Sequence, residues 1–413
     1  MGRRMRESHA SARDVPADFA GGDDGLRSCV QCGLCLEVCP TYQLTGDANN
    51  SPRGRLRLWR EEAEGRLPPD PWTDFYTAEC VGCLACETAC PGNVPYGRLL
   101  EEARHGMVAA GRSRPRSLMR WAAALAARPT LMQWTLGPVR ALRRWGGLRQ
   151  RLVFPGRPAV ATSTAAYARG LVQERRPTGP RVALLTGCLM ESLFREINFA
   201  TVRVLVENNV RVIVPPTQGC CGAVQEHLGL DGVDVLRERN RRAFGALDVD
   251  AIVTNSSGCG LALQKTMQGE KPVRDVLGFL GDMGPVRRRR RPNAARLYVD
   301  LPCHLVHGQK AAGIPSSVLD ATGYAWEFAP QAEDCCGSGG VYNLQKPENA
   351  RAILARKSSF LDTAAGEPVV LATSNHVCMM QWHSARAAGL VKRPYQVAHV
   401  VSLLDPLGPD LGG

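Results

Sequence analysis

The 413-residue sequence contains no uninterrupted apolar run as long as the ~20 residues that a membrane-spanning helix needs. Its best candidate, Trp121–Trp134, is interrupted by Arg128 and Pro129. No apolar stretch follows the adjacent Arg3 and Arg4, so neither a secretory signal nor a twin-arginine export signal is predicted. We therefore expect any membrane contact to be peripheral, and we expect disulfides to be absent because the predicted compartment is reducing.

The sequence also lacks the usual signatures of an active site. It shows no paired-carboxylate pattern, no nucleophilic triad and no flavin-binding motif. Gly337–Gly340 resembles a phosphate cradle, but it lacks the Lys and Ser/Thr of a P-loop and does not form G-x-G-x-x-G. We therefore predict no catalytic residue in this chain and expect the substrate to be oxidised elsewhere.

Cysteine is abundant, and eight of the sixteen cysteines form two equal runs near the N-terminus. Each run has the pattern C-x2-C-x2-C-x3-C-P, which is typical of two-cluster bacterial ferredoxins. In such runs three closely spaced thiolates hold one cubane, and the fourth reaches the other cubane. The pattern predicts a chain that moves electrons. The two predicted [4Fe-4S] ligand sets are Cys29, Cys32, Cys35 and Cys90 for the first cluster, and Cys80, Cys83, Cys86 and Cys39 for the second.

Structural zinc and disulfides are the alternatives for these eight cysteines. A zinc site needs only two C-x2-C halves, which leaves the third cysteine of each run and the Pro after each fourth unexplained. Disulfides conflict with the predicted reducing compartment. The spacing therefore favours two cubanes.

From Arg181 onward the sequence repeats itself. Four cysteines recur at offsets of 115, 115, 115 and 119 residues, pairing Cys188, Cys220, Cys221 and Cys259 with Cys303, Cys335, Cys336 and Cys378. Each copy alternates short apolar segments with longer amphipathic ones, which predicts a parallel α/β layer. The predicted strands are residues 182–185, 212–214 and 251–253 in the first copy, and 297–299 and 369–371 in the second. The cysteines follow these strands, so we expect them at the carboxyl ends where open sheets build their sites.

These eight later cysteines are candidate metal ligands. Each copy contains an adjacent Cys-Cys pair, which is poorly suited to a mutual disulfide but can present two thiolates to one metal centre. The following Gly222 or Gly337 allows a close turn there. A further cluster or a zinc ion in each copy is one interpretation. The other is that these cysteines are small buried hydrophobic residues. For the neighbouring His304, His307 and His376, we favour core or supporting positions over metal ligation.

Most of the formal charge of +12 lies in connecting segments. Between Arg112 and Arg157 there are eleven arginines and no acidic residue, and Arg287–Arg291 adds a second basic run. The first stretch also contains Trp121, Trp134 and Trp145, which suits docking to an anionic membrane. Docking to an acidic partner and a plain solvated linker are the alternatives. Nucleic acid is not predicted, because no recognition module accompanies the arginines.

Together these features predict an α+β multidomain protein, with a mostly helical two-cluster ferredoxin-like domain followed by two repeated α/β domains. The insert between the two cysteine runs suits a helix better than alternating strands. The predicted segments are an N-terminal arm (1–25), the ferredoxin-like domain (26–111), an Arg-rich connector (112–180), the first repeat (181–285), a basic linker (286–295) and the second repeat (296–413).

The sequence resembles the iron–sulfur subunit of bacterial glycolate oxidase over nearly its whole length. The motifs that carry the resemblance are Cys39–Gly46, Pro52–Arg55, Gly219–Val224, Ser257–Gly260, Pro302–Leu305 and Cys335–Ser338. The CCG pair is shared more widely, with subunits of anaerobic glycerol-3-phosphate dehydrogenase, lactate-utilisation proteins and heterodisulfide reductase. Iron–sulfur subunits of a related lactate or glycerol-3-phosphate dehydrogenase are therefore the alternative functions.

The resemblance implies a cytoplasmic complex that can associate with the inner membrane, in which flavin-containing glycolate oxidase subunits oxidise glycolate to glyoxylate. This chain would pass electrons singly from the flavin toward a quinone. In the heterodisulfide-reductase-like form the last CCG motif is C-x2-C, but Ala262 and Gln381 stand at its second cysteine positions here. A five-thiolate cluster and a thiol–disulfide enzyme are thereby disfavoured, and a four-thiolate site or an empty pocket remains. A zinc-stabilised scaffold is a further alternative.

Overall fold

The chain folds into two units of different composition, one helical and one containing parallel sheets. The computed structural model describes residues 24–128, 131–132, 134–135, 162–287, 293–409 and 411. The helical unit comprises residues 24–115 with 227–230, and the other described residues form the sheet unit. Residues 1–23 of the predicted arm, Trp145 and residues 288–291 of the second basic run lie outside the described residues. The predicted fold class, helical first and α/β after it, is confirmed.

The helical unit consists of short helices joined by cysteine-bearing loops. Its described helices are α1 (Asp24–Arg27), α2 (Pro40–Thr45), α3 (Pro52–Ala63), α4 (Pro71–Ala78), α5 (Ala85–Thr88) and α6 (Tyr96–Ala109), with a 3-10 turn at Ala48–Asn50. Helices α2, α3 and α4 begin at proline, whose missing N–H costs nothing in a first turn. The Ser51 hydroxyl accepts a hydrogen bond from the Gly54 N–H and so caps α3.

The core of this unit lies between α3 and α6. Trp59 and Tyr96 are buried with their ring centroids 5.6 Å apart, and Leu99 packs in the same cluster. The Trp59 indole donates to the Thr77 hydroxyl at 2.9 Å, so its buried N–H has a partner. Gly54 is required where α3 meets the 3-10 turn, because a Cβ there would lie 2.1 Å from the Ala48 carbonyl oxygen. This close approach fixes α3, which bears Arg53 and Arg55 toward the cysteine loops.

The sheet unit contains two four-stranded parallel sheets with the same topology. The first has the strand order β2-β1-β3-β4, from β1 (Arg181–Leu185), β2 (Arg211–Ile213), β3 (Ala251–Thr254) and β4 (Val273–Asp275). The second has the order β6-β5-β7-β8, from β5 (Asn293–Asp300), β6 (Tyr324–Phe328), β7 (Val369–Thr373) and β8 (Gln396–His399). The predicted duplication is therefore confirmed at the level of strand order and direction.

The pairing register of the central strands places the apolar segments, from which these strands are predicted, side by side. In the first sheet Val182 pairs with Ala251 and Leu184 with Val253, and all four side chains are buried. Such continuous apolar segments are typical of parallel strands covered on both faces. In the first sheet β2 lies on one side of β1 and β3 lies on the other, and in the second sheet β6 and β7 flank β5 in the same way. The strand order therefore reverses between β1 and β3 and between β5 and β7. Parallel sheets build their sites at this reversal, at the carboxyl ends of the strands.

Helices cover the sheets and join the two repeats. The described helices after the first unit are α7 (Ser117–Ala126), α8 (Thr164–Arg175), α9 (Cys188–Leu193), α10 (Arg195–Glu207), α11 (Ala223–Leu228), α12 (Val233–Gly245), α13 (Ser257–Met267), α14 (Val276–Asp282), α15 (Ser316–Asp320), α16 (Tyr342–Gln345), α17 (Pro347–Ser358), α18 (His376–Ala387) and α19 (Val400–Leu404), with a π turn at His304–Gly308 and a 3-10 turn at Ser359–Asp362. None of the helices in the described part of the chain is long and apolar enough to cross a membrane.

One apolar core runs through both repeats. It includes Leu184 of β1, Leu205 of α10 and Val370 of β7, all fully buried. The Arg203 guanidinium on α10 also binds the Asp405 carboxylate just after α19, with Nε and Oδ1 2.8 Å apart. Truncating a fully buried leucine such as Leu205 to alanine typically costs about 2–5 kcal/mol. The two repeats are therefore held together as one body by continuous packing and this ion pair.

Candidate metal centres

Two adjoining cavities in the helical unit are lined by the cysteines of the two runs. One is lined by Cys29, Cys32, Cys35, Cys86 and Cys90, and the other by Cys39, Cys80, Cys83 and Cys86. Pro52, Cys86 and Tyr96 line both cavities, so they lie side by side. The first cavity therefore collects three cysteines of the first run with Cys86 and Cys90 of the second, and the second cavity collects three cysteines of the second run with Cys39 of the first. This placement agrees with the two predicted ligand sets, while the ligand assignment itself stays a prediction.

The two runs wrap their cavities with the same backbone turns. Gln31 and Gly33 have φ values of 60° and 89°, and their counterparts Gly82 and Leu84 have values of 76° and 66°. Two left-handed residues per run turn the chain sharply enough to aim three cysteines inward. Leu84 is a non-glycine residue in this region and costs the fold roughly 1–2 kcal/mol. Residue Cys39 then sits at the N-cap of α2, from which its side chain reaches the second cavity.

The two cysteine sets differ in burial. Cys32 is exposed and the other three cysteines of its predicted set are half-buried. In the second set Cys39, Cys80 and Cys86 are buried and Cys83 is half-buried. Val30 and Leu34, which flank Cys32, are also exposed large apolar residues. The first set thus lies at the surface and the second lies in the interior. A donor or acceptor can approach the first set most closely.

Hydrogen-bond donors surround the interior set. The Tyr96 hydroxyl donates to the Cys80 Sγ at 3.5 Å, and the Thr41 hydroxyl lies 3.3 Å from the Cys39 Sγ. Burial raises the pKa of the Cys86 thiol well above its ordinary value. Burial likewise raises the pKa of Cys39, and the nearby Arg55 opposes that rise. Holding thiolates here therefore needs compensating positive charge and donors.

Arg55 supplies that charge from within the core, where its side chain is 1% exposed. Its Nε donates to the Tyr76 carbonyl at 2.6 Å, and its Nη2 donates to the Thr41 hydroxyl at 3.1 Å. Its Nη1 has no hydrogen-bond partner among the described residues. Burial alone would lower the pKa of Arg55, but the neighbouring Tyr96, Cys80 and Cys39 raise it overall. A permanently charged, buried guanidinium with a free donor fits an anionic group in the second cavity.

In the first repeat, four cysteines converge at the carboxyl edge of the sheet. Cys188 follows β1, Cys220 and Cys221 follow β2, and Cys259 lies in the first turn of α13 after β3. The Sγ atoms of Cys188 and Cys220 are 3.4 Å apart, and the thiols of Cys221 and Cys259 also hydrogen-bond each other. The structure thus brings all four candidate ligands of this copy together.

Two buried amides hold the CCG loop in place. The Asn240 side chain accepts from the Gly219 N–H at 2.9 Å and donates to the Cys220 carbonyl at 2.8 Å. The Gln218 side chain accepts from the Thr186 N–H at 2.8 Å. Gly222 has φ 90°, in the left-handed region that favours glycine. This bracing fixes the cysteine pair before any metal binds.

The second repeat gathers its cysteines in the same way but adds a buried ion pair. Cys336 hydrogen-bonds to Cys335 and Cys378, and Cys303 follows β5 close to Cys378. The buried Lys357 Nζ lies 2.5 Å from the Asp300 Oδ1. Hydrogen bonds from Cys335 and Cys378, with the charge of Lys357 nearby, lower the pKa of Cys336.

Sequence reasoning missed this ion pair, although a signal was present. Asp300 stands at the repeat position of Leu185, an apolar residue at the end of the equivalent strand. The Trp382 indole donates to the other Asp300 oxygen at 2.9 Å. A charged residue in an apolar strand position indicates a buried partner, because an unpaired buried charge is too costly.

The histidines near the second set have partners or surroundings within the core. The His307 Nε2 lies 3.2 Å from the Glu333 carbonyl oxygen, and His376 packs against Phe194 with ring centroids 5.7 Å apart. Burial lowers the pKa of His376 to about 3, so its ring is neutral. The grouped cysteines are not arranged for a single ion: within the described ranges, no three or more His, Cys, Asp or Glu side chains have an arrangement that could hold one metal ion. Thiols that line a cavity suit a cluster several ångströms across better than one ion.

Two domain families match the chain where these sites lie. Residues 25–94 match the 4Fe-4S dicluster domain, and residues 182–264 and 299–382 match the cysteine-rich domain named for its CCG pair. The fold and the cysteine sets therefore define an iron–sulfur protein with a dicluster domain and two CCG domains, and the chain binds iron–sulfur clusters.

Similar proteins place the chain more narrowly. It is 31% identical to the probable glycolate oxidase iron-sulfur subunit of Bacillus subtilis, over 87% of this chain and 89% of that protein. It is 31% identical to the glycolate oxidase iron-sulfur subunit of Escherichia coli, over 92% of this chain and 94% of that protein. It is also 29% identical to a fumarate reductase (CoM/CoB) subunit of Methanothermobacter marburgensis, over 86% of this chain and 67% of that protein.

The chain belongs to the family of glycolate oxidase iron–sulfur subunits. The resemblance found in the sequence is thereby confirmed. Membership makes this chain the iron–sulfur subunit of an oxidoreductase complex, with an electron-transfer role and a separate catalytic partner.

Proposed function

We propose that this chain relays electrons in a glycolate-oxidising complex. A flavin on a partner subunit oxidises glycolate to glyoxylate, and the electrons leave through this chain toward a quinone-type acceptor. The observation that carries the proposal is the pair of adjoining cysteine-lined cavities in the helical unit. The relatives whose names specify glycolate oxidase match nearly the whole chain, which supports glycolate as the substrate of the complex.

The proposed ligand sets combine the three closely spaced cysteines of one run with the fourth cysteine of the other. The cavity linings support these sets, with Cys86 bordering both cavities. The surface cluster is assigned to Cys29, Cys32, Cys35 and Cys90, and the interior cluster to Cys39, Cys80, Cys83 and Cys86. Bound clusters supply one-electron chemistry, which converts the two-electron oxidation at a flavin into single steps. Cysteine thiolates hold the iron, while the Tyr96 hydroxyl donates to the Cys80 sulfur and Arg55 offsets negative charge. Because Cys86 borders both cavities, the two sets are close enough to exchange electrons.

The burial difference indicates where electrons cross to other subunits. Cys32 and its apolar neighbours Val30 and Leu34 are exposed, so this rim is the natural contact for a redox partner. The interior set is more buried, with Cys39, Cys80 and Cys86 all buried, and serves as the inner relay. A partner that covers the rim would also exclude water from the surface cluster, which lowers the cost of electron exchange.

The CCG sets are proposed to hold no more than four thiolates each. The position of a fifth ligand is Ala262 in the first repeat and Gln381 in the second, and both are buried. The Gln381 side-chain Oε1 accepts a hydrogen bond from the Asn343 side-chain amide at 3.1 Å, so this oxygen already has a partner. A thiol–disulfide enzyme built on a five-thiolate cluster is therefore not supported. These eight cysteines remain candidate ligands for an additional cluster or for zinc.

The test of the proposed function is electron entry from the flavin partner. We expect that anaerobic mixing of the cluster-loaded chain with its flavin subunits and glycolate bleaches the visible absorbance of the clusters. Glycolate without the flavin subunits should leave the absorbance unchanged, since we propose that the oxidation takes place on the partner subunit. Val235→Ala, at an exposed apolar residue of the sheet unit, is the control for Val30→Ala, which should slow the bleaching.

Two results would count against this function. Clusters that dithionite reduces but glycolate with the flavin subunits does not would show that the complex oxidises something else. Faster bleaching by lactate or glycerol 3-phosphate than by glycolate would reassign the substrate and keep the relay.

A further inference from the structure

Helix α7 has one face fixed to the sheet unit and one face open. Met119, Ala123 and Ala126 are buried at helical spacing, and the Gln225 amide donates to the Ala123 carbonyl at 2.9 Å. Ala126 and the following Met132 pack with Cys188 and Cys220 of the first repeat. The inner side of α7 is therefore packed against the sheet unit. The side chains on its outer side are exposed because the helix is held in this orientation.

The open face combines apolar and basic side chains. Leu118 and Trp121 are exposed, Trp121 by 60%, and they lie beside the exposed Arg116 and Arg120. Beyond the helix, Arg128 is exposed and Trp134 is 81% exposed. We call these six residues the α7 patch. Within the described part of the chain, its three arginines make no ion pair.

Along the sequence, the charges on either side of the patch have one sign only. No Asp or Glu occurs between Arg112 and Arg157, where eleven arginines are found. Salt bridges elsewhere on the surface, such as Arg242 with Glu238, show that the chain pairs its arginines where acidic residues are near. Arg112, at the start of this segment, pairs with Glu62 and Asp74, but the three arginines of the α7 patch have no acidic partner within the described part of the chain. The complement of the patch is an anionic surface.

Tryptophan and leucine among the arginines identify the kind of anionic surface. Interfacial helices of peripheral proteins place Trp and Leu at the headgroup boundary and Arg beside the phosphates. Trp is also enriched at membrane–water interfaces. A nucleic-acid surface would use the arginines but would not need several separate apolar side chains held out in solvent. The combination favours lipid.

We propose that the α7 patch docks this subunit on an anionic lipid bilayer, with Trp121, Trp134 and Leu118 at the headgroup level and the arginines on lipid phosphates. The docking would bring the chain to the phase in which a lipid-soluble acceptor resides. The lipid-docking proposal goes beyond the electron-relay proposal and does not depend on it. The relay is tested by cluster content and electron entry, and both are measured without lipid.

The experiment is sedimentation of the full-length, cluster-loaded chain with vesicles. We expect binding to vesicles of phosphatidylcholine with phosphatidylglycerol, little binding to pure phosphatidylcholine, and weakening as salt is raised. Trp121→Gln with Trp134→Gln should lower the partition coefficient about tenfold. Arg116→Gln with Arg120→Gln should lower it by a similar factor on anionic vesicles.

Matched controls remove the same groups elsewhere. Trp72→Gln deletes an indole that is 65% exposed in the helical unit, and Arg175→Gln with Arg242→Gln deletes two exposed charges. Both controls should bind anionic vesicles like the unchanged chain. Thermal melts of every variant verify that the substitutions leave the fold intact.

Three outcomes would overturn the proposal. The first is no binding to anionic vesicles by the unchanged chain. The second is an equal loss of vesicle binding in the control variants. Binding would then depend on the total charge or the total number of exposed indoles and not on the α7 patch. The third is duplex DNA binding as tight as vesicle binding and insensitive to the tryptophan changes, which would identify a general polyanion surface.

Discussion

Cys90→Ser is expected to remove the same cluster as Cys29→Ser, although Cys90 belongs to the other cysteine run. The reason is placement, since Cys90 lines the cavity of Cys29, Cys32 and Cys35. Each variant should lose about half of the iron of the helical unit and the same set of EPR signals. Conversely, Cys39→Ser should match Cys80→Ser, because both residues line the interior cavity.

The comparison between variants is the decisive part of this experiment. Val30→Ala changes an exposed residue next to Cys29 and should keep the full iron content. If Cys90→Ser instead reproduced the spectrum of Cys80→Ser, each run would hold its own cluster and the cross-run assignment would be wrong. Thermal melts separate the loss of one cluster from general unfolding.

The second large effect is expected at Arg55. Reducing a cluster adds one negative charge, and Arg55 is the buried cation beside Cys39 and Cys80. Replacing it with methionine should move the midpoint potential of the interior cluster by about 50–100 mV to more negative values, from a unit charge several ångströms away at an effective dielectric constant near 20. The surface cluster should shift little. An EPR-monitored redox titration measures both.

Two further variants make the Arg55 result interpretable. Arg55→Lys keeps the positive charge, so the midpoint potential of the interior cluster should stay close to that of the unchanged chain. The lysine lacks the planar guanidinium that donates to the Tyr76 carbonyl and the Thr41 hydroxyl. Arg53→Met removes a neighbouring arginine that lines the surface cavity instead, so it should act on the other cluster. Equal shifts of both clusters in Arg55→Met, or no shift at all, would refute a local role for this charge.

The central strands could be predicted from sequence, and most of the edge strands could not. Residues 182–185, 251–253 and 369–371 are continuous apolar segments, and all three are central strands in the structure. The sequence pattern does not indicate β4, β6 or β8. They lie at sheet edges, and segments such as Tyr324–Phe328 are partly exposed and mix polar with apolar residues. Such strands are defined by pairing with their neighbour, which no local pattern records.

The candidate sites divide in the same way. Cysteine spacing is local and chemically specific, so it predicts that cysteines of both runs meet in each cavity of the helical unit. That Cys86 borders both cavities could not be predicted from the spacing. Arg55 lies in one of the motifs that carry the family resemblance. Its burial could not be predicted from the sequence, because arginine is rarely buried completely. Lys357 and Asp300 are 57 residues apart and meet only in the folded sheet unit. Their pairing depends on tertiary packing.

The central claim is that this chain carries two [4Fe-4S] clusters in its helical unit. The most direct test is the iron and acid-labile sulfide content of anaerobically purified protein, with EPR after dithionite reduction. We predict about eight iron and eight sulfide per chain with the signals of two interacting cubanes, and a count of about twelve to sixteen would add clusters in the CCG repeats. Zinc without sulfide, or iron that gives no cubane signal, would contradict the account.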